Sequence, residues 1–363
     1  MIALSAQQTS AADAVMAWWR ANRNTPGVFR LYGFAGTGKT TTTDTIATRV
    51  YNEGGNVVQL TLTGKAAKVL SEKSGRPAVT IHSLLYSFAG LDENNEPIFK
   101  TLDHKAISLI NSLKVNGLIV LDECSMIPRH VMADLLALRV PVLALGDPFQ
   151  LPPVKASAYF DNRCDAMLTE VHRQAADNPI LRASMLIRDN RIGEAKALLV
   201  RRRRQDVTFD MMRQADQILC GTHATRKLIN GLYRDKLKRV SSVAVGERII
   251  ALRNDAERGI WNGETRIVRG TKRLPDQRAW LVLEDGTKFV GDLLALNDPD
   301  YRQDDQRARR CMPFDYAYAL TVHKSQGSEW NKIMLVDDWQ GADYARWLYT
   351  GITRARDKLA LVS

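Results

Sequence analysis

The eight residues Gly33-Phe34-Ala35-Gly36-Thr37-Gly38-Lys39-Thr40 constrain this chain more than any other stretch, because they fit G-x-x-x-x-G-K-[ST] and follow an apolar run at 28–32. The run reads as a buried strand. Residues 41–51 contain no Pro or Gly and read as the helix beyond it. Strand, glycine loop and helix in that order turn backbone N–H groups inward on a polyphosphate at a helix N-terminus, where Lys39 reaches the outer phosphates and Thr40 offers its hydroxyl to Mg²⁺.

Further short apolar runs at 57–62, 118–121 and 142–145 are separated by helix-length segments. That alternation is the mark of a parallel sheet with crossover helices, so an α/β domain is expected over residues 1–160. Residues 84–101 break its rhythm: Gly90, Asp92, Asn94 and Asn95 lie between aromatic and apolar positions, as in a projecting hairpin. A second α/β domain is expected over 161–363, with strands at 218–221, 333–336 and 359–362. Within it, alternating runs at 265–268, 279–283 and 288–290 with turns at 275–276 and 285–286 suggest a small β-barrel insert over about 264–311. The four arginines at 201–204 read as a solvated face or as a nucleic-acid contact.

A chain of 363 residues, 45% hydrophobic and 25% charged, has the composition of a globular protein. Its first residues lack a basic segment followed by an apolar core, and no apolar run nears the ~18 residues that span a bilayer, so a cytosolic location is expected, in a bacterium or in the host of a virus. Cys124, Cys164, Cys220 and Cys311 are far apart and form no zinc-site spacing; reduced, mostly buried thiols are expected. The net charge of +11, concentrated after residue 160, points to a polyanionic partner or to a merely solvated basic surface.

Two carboxylates, Asp122 and Glu123, end the apolar run at 118–121. Beside a phosphate loop such a pair suits metal binding by Asp122 and activation of water by Glu123. Asp147 and Gln150 follow the next strand, at the edge where open α/β sheets bind ligands, and Gln150 suits the γ-phosphate or the attacking water. Arg173 and Arg354 come from the second expected domain. Arginines that complete a nucleotide site from a separate domain couple closure to hydrolysis.

The succession GFAGTGKTT, LTGKAAKVL, TIHSLL, LDECSMI, GDPFQLPPV, EVHRQ, ALTVHKSQGSEW and YTGITRAR resembles the superfamily 1 helicases, in the RecD-like and Dda-like 5′-to-3′ branch (superfamily 1B), from Leu4 to the C-terminus. The resemblance implies two RecA-like P-loop motor domains, with a hairpin insert in the first and an SH3-like barrel insert in the second. It also implies ATP and Mg²⁺, with Gln8 reading the adenine (Gln7 is the alternative register). Gly36, Thr37, Gly38, Lys39, Thr40 and Thr41 would bind nucleotide, Thr40 and Asp122 the metal. Glu123, Gln150, Arg173 and Arg354 would act in hydrolysis, with Gly327 and Glu329 lining the cleft. Implied strand contacts are Thr63, Lys65, Thr80 and His82 in the first domain, and Thr222, His223, Asn262, His323, Lys324 and Ser325 in the second. Lys65 and His323 are alternatively helix-capping residues. Tyr86, Phe88 and Phe99 are candidates for a strand-separating pin, or are ordinary cross-strand partners.

The implied activity is ATP-driven 5′-to-3′ translocation and DNA unwinding, and the alternative is a translocase that displaces proteins or unwinds RNA. Single-stranded and tailed duplex DNA are the expected partners, a single-strand-binding or replication protein is an accessory candidate, and a monomer is expected. Nothing in the sequence suggests an appended nuclease, primase or zinc module.

Overall fold

The computed structural model describes residues 3–91, 97–100, 104–152, 159–161, 163–171, 178–255 and 257–363. The chain divides into two compact units, Met1–Ser87 with Lys100–Asn190, and Phe88–Phe99 with Arg191–Ser363.

The first unit is built on the strands β1 (Gly27–Gly33), β2 (Asn56–Thr61) and β3 (Ala78–Thr80), followed after the hairpin strands β4 (Ser87–Leu91) and β5 (Pro97–Lys100) by β6 (Gly117–Leu121), β7 (Pro141–Gly146) and β8 (Ala166–Leu168). Its six-stranded sheet has the order β3-β2-β6-β7-β1-β8, and every pairing is parallel. Every residue of β6 and β7 is buried, as a strand covered on both faces requires. Alternate residues enter two different cores: Ile119, Leu121, Val142 and Ala144 face one, Leu118, Val120, Leu143 and Leu145 the other. Each large aliphatic side chain so buried contributes about 1.5–3 kcal/mol.

Several boundaries differ from the sequence reading. The first unit runs past residue 160, because β8 hydrogen-bonds to β1 and the helix Pro179–Arg188 places the Arg188 guanidinium 3.5 Å over the Phe34 ring. A three-residue strand and an arginine-bearing helix carry no local sign of which sheet they join. The hairpin also begins later than residue 84, and Phe88–Phe99 fall in the second unit rather than the first. Leu84 is buried near the end of the helix Ile81–Leu85, and residues 92–96 lie outside the described ones.

In the second unit β9 (Val200–Arg202) and β10 (Gln217–Cys220) are followed by β11 (Arg248–Ala251), β12 (Thr265–Leu274), β13 (Arg278–Leu283), β14 (Lys288–Asp292) and β15 (Met312–Tyr316), and then by β16 (Ala319–Thr321), β17 (Trp330–Val336) and β18 (Ala355–Val362). The sheet order is β16-β10-β17-β18-β9, again parallel throughout. β11 to β15 close into a barrel. It is therefore wider in sequence than 264–311: β11 and β15, too short to show periodicity, pair with each other and seal it. Arg226, on the helix His223–Lys236, forms a buried ion pair with Asp315 of β15. Cys124, Cys220 and Cys311 are buried free thiols, whereas Cys164 is exposed. Among the described residues no helix is long and apolar enough to cross a membrane.

Candidate nucleotide site and nucleic-acid edge

The glycine loop leaves β1 at its C-terminal end, and the helix Lys39–Asn52 begins at once, two residues earlier than the sequence suggested. Gly36 and Gly38 both have left-handed backbones (φ 78° and 77°), which any side chain would strain. A Cβ on Gly36 would lie 3.1 Å from the Leu181 side chain, and one on Gly33 would lie 2.7 Å from Thr37 Oγ1. As N-cap, Gly38 has no side chain to occupy the first-turn amides, so the positive end of the helix stays open to an anion. Lys39 Nζ donates to the carbonyls of Gly33 and Phe34, which holds the ammonium at the loop. Thr37 is buried and its hydroxyl donates to Phe34 O at 2.9 Å; Thr40 is exposed and Thr41 half-buried.

The two N-terminal glutamines separate cleanly. Gln8 is buried, closes a capping box with Ser5, and donates from Nε2 to the Thr37 carbonyl at 3.0 Å. Gln7 accepts from the N–H groups of Thr169 and Glu170 at 2.9 and 3.0 Å. Gln8 thus touches the phosphate loop and Gln7 the segment leading toward Arg173, which lies outside the described residues.

Asp122 and Glu123 follow β6. Asp122 N–H donates to Leu60 O at 2.9 Å, and its carboxylate accepts from Glu123 N–H at 2.9 Å. Glu123 itself sits in the left-handed region (φ 53°, ψ 44°), a conformation costing about 1–3 kcal/mol that recurs at functional sites. After β7, Asp147 is buried and accepts from Phe149 N–H at 3.0 Å, while Gln150 N–H donates to Asp147 O at 3.2 Å. A Cβ on Gly146 would lie 2.8 Å from Cys124 Sγ, so the thiol occupies the space that glycine leaves. Burial, and then the charges of Asp122 and Glu123, push that thiol far above its ordinary pKa and keep it protonated.

These residues fit a magnesium nucleoside triphosphate. The loop offers N–H and ammonium donors on a backbone that its glycines make possible, and Thr40, Asp122 and Glu123 supply hard oxygens. Among the described residues no group of three or more His, Cys, Asp or Glu forms a metal cage. Magnesium fits such a setting because it takes one or two protein oxygens and completes its shell with phosphate and water.

The other end of the same sheet edge has a different construction. Thr63, after β2, caps the helix Gly64–Ser74 by accepting from Ala66 N–H, and Thr80, the last residue of β3, caps Ile81–Leu85 by accepting from Ser83 N–H. Lys65 lies in the first turn of its helix, so it is not a C-terminal cap. His82 is half-buried with its ring 5.7 Å from Tyr86; burial, then the nearby His130, lower its pKa. Tyr86 donates its hydroxyl to Asp134. Phe88 and Phe99 lie on β4 and β5.

In the second unit Thr222, after β10, caps His223–Lys236 by accepting from Thr225 N–H, and its hydroxyl also donates to Asp338 at 3.1 Å. His323, Lys324 and Ser325 form a single 3-10 turn after β16. His323 is half-buried with its pKa lowered by burial, and Lys324 is exposed. Ser325 is wholly buried and donates to Val322 O at 2.7 Å, so its hydroxyl does not face a ligand. His223 and Asn262 are exposed, the latter in the turn before β12. Gly327 (φ 71°), Glu329 and Arg354 gather elsewhere, at the entrances of β17 and β18. Arg354 is buried and donates to Thr350 O at 3.2 Å, while Glu329 receives two hydrogen bonds from Arg356. Sequence reasoning missed Asp338 and the loop after β17 that carries it, because nothing local marks them.

The AAA domain family matches residues 3–208, and the UvrD-like helicase C-terminal domain matches residues 316–362. The ATP-dependent RecD2 DNA helicase of Deinococcus radiodurans is 29% identical over 361 residues, covering 90% of this chain and 46% of that protein. The ATP-dependent DNA helicase dda of Enterobacteria phage T4 is 32% identical over 174 residues, covering 44% of this chain and 37% of that protein. The chain thus spans less than half the length of either relative. Among solved structures, Bacteroides Pif1 bound to ssDNA shares the fold, with a TM-score of 0.63, 20% identity, and coverage of 99% of this chain and 92% of that one.

Proposed function

Because the chain belongs to the AAA domain family, in superfamily 1B of the helicases, we propose that it is an ATP-dependent 5′-to-3′ DNA helicase that moves along single-stranded DNA and opens tailed duplexes. One observation carries the reading: along a single edge of the first sheet, β1, β6 and β7 end in the glycine loop, the acid pair and Gln150, while β2 and β3 end in threonine-capped helices. Fuel chemistry and a backbone grip share one sheet.

Lys39 and the amides after Gly36 bind and orient the triphosphate. Glu123 takes a proton from the attacking water, and Gln150 orients that water. Magnesium on Thr40 and Asp122 would supply positive charge to the phosphate oxygens. The resemblance implies a role for Arg354 in hydrolysis. On the DNA side, the hydroxyls of Thr63, Thr80 and Thr222 are already engaged as caps on first-turn amides, so the charges of Lys65 and Lys324 meet phosphates. Such contacts hold backbone rather than read bases.

The test compares ATP-driven unwinding of 5′-tailed and 3′-tailed duplexes by the wild type and Lys39→Ala. Activity on the 5′ tail, lost in the variant, is expected; activity confined to the 3′ tail would overturn the polarity. A second reading, a translocase that strips proteins or unwinds RNA, draws on Tyr86, which is held by Asp134 and so is a poor free wedge. Strong displacement of a strand-bound protein with weak DNA unwinding would favour it.

A further inference from the structure

We propose that Trp339, in the loop after β17, is a positioning residue that links the turn His323–Ser325 to Arg354 through the helix Tyr344–Ile352; this rests on the DNA-motor reading above. The half-buried indole meets the His323 ring edge-on at 5.4 Å. Its N–H donates to Asp343 Oδ1 at 3.0 Å. Asp343 is the N-cap of Tyr344–Ile352, yet its carboxylate caps none of that helix's amides and takes the indole instead. One turn on, Trp347 is wholly buried with its ring nearly parallel to that of Trp339. At the far end of the same helix the Thr350 carbonyl accepts from Arg354 Nε.

The loop has no slack. A Cβ on Gly341 would lie 2.7 Å from the indole nitrogen, and one on Gly221 would lie 3.0 Å from Trp339 Cβ. Asp338, next in the chain, accepts from the N–H groups of Gly221 and Thr222. A shift of the His323 turn or the Thr222 cap therefore moves Trp339, and the indole–Asp343 bond carries the shift to the helix and so to Arg354. Close-packed interiors transmit displacements of this kind.

Trp339→Phe keeps a ring and removes the donor, Asp343→Ala removes the acceptor, and Asp343→Asn retains an acceptor oxygen. ATP turnover is measured without DNA and across a titration of single-stranded oligonucleotide, beside thermal melting. With coupling of ordinary strength, Trp339→Phe and Asp343→Ala lower the DNA-stimulated kcat about 10-fold, leave basal turnover and the half-saturating DNA concentration unchanged, and Asp343→Asn restores most of the stimulation. Unchanged stimulation in Trp339→Phe overturns the link, as does a loss confined to half-saturation or shared equally by basal turnover. A wild type whose turnover ignores DNA overturns the motor reading itself, whereas a stimulated wild type with an indifferent variant overturns only the link.

Discussion

The two parallel sheets place their functional candidates differently. In the first unit the described candidates that follow strands lie at the C-terminal edge, sorted sideways: the proposed backbone-grip residues by β2 and β3, the proposed nucleotide residues by β6, β7 and β1. In the second unit Thr222, His323 and Lys324 occupy that edge, while Gly327, Glu329 and Arg354 lie where β17 and β18 begin. The C-terminal edge collects helix N-termini and ligands by default. Residues at the opposite end are reached only by loops that return across the unit, so the second unit needs connecting parts, such as the helix Tyr344–Ile352, that the first can dispense with.

Loss of the water-activating carboxylate is the severest way to probe this contrast. Glu123→Gln should lower ATP turnover about 10³- to 10⁴-fold. DNA affinity, followed by fluorescence anisotropy, should hold, and a parallel collapse of both would break the sideways sorting. Asp315→Ala leaves Arg226 buried and unpaired, a loss of about 3–5 kcal/mol. Calorimetry should show the second unit melting earlier with the first unmoved; a uniform shift would mean that the units do not melt separately. Gly36→Ala forces a side chain onto a left-handed backbone against Leu181, and nucleotide affinity, measured by titration calorimetry, should fall about 10-fold.

Milder tests compare equivalent positions. Thr80→Ala and Thr222→Ala each remove an N-cap worth about 1 kcal/mol, read as a lowered denaturant midpoint, and both should weaken DNA binding modestly. A DNA effect in one unit only would make the grip one-sided. The smallest effect is acid sensitivity. His82 and His323, one in each unit, have folded pKa values below the ordinary 6.5, so the unfolded chain binds more protons. Their contribution is complete above that pH and is lost as the pH falls through the depressed folded values. Urea midpoints should therefore drop between pH 7.5 and 5.5, and saturating DNA, whose phosphates favour the charged rings, should narrow the drop. A higher midpoint in acid would contradict the burial of both rings.

Legibility in the sequence followed from locality. The glycine loop, the acid pair and the middle strands of the barrel announce themselves because each rests on residues a few positions apart. The hydrophobic runs marked β1, β2, β6 and β7 because strands buried on both faces have few polar residues. By contrast β8, β9, β11 and β15 are defined by partners far along the chain: Leu31 gives Ala166 its place in the sheet, and Tyr316 does so for Ile249. The capping role of Thr63, Thr80 and Thr222 was available in principle, since each precedes a helix by one residue. Burial of Ser325 was not, because alternation is lost in a 3-10 turn. Asp338, Trp339 and Asp343 form a constellation only after β10, β16 and β17 line up.

The barrel's first and last strands are neighbours, with Ile249 beside Tyr316, and β16 resumes the parent sheet at Ala319. Entry and exit thus form a single doorway, and the far hairpin turns at Asp276 and Gln277, both with left-handed backbones. Evolution can enlarge, shrink or graft this appendage at its tip while the parallel sheet behind it keeps its register.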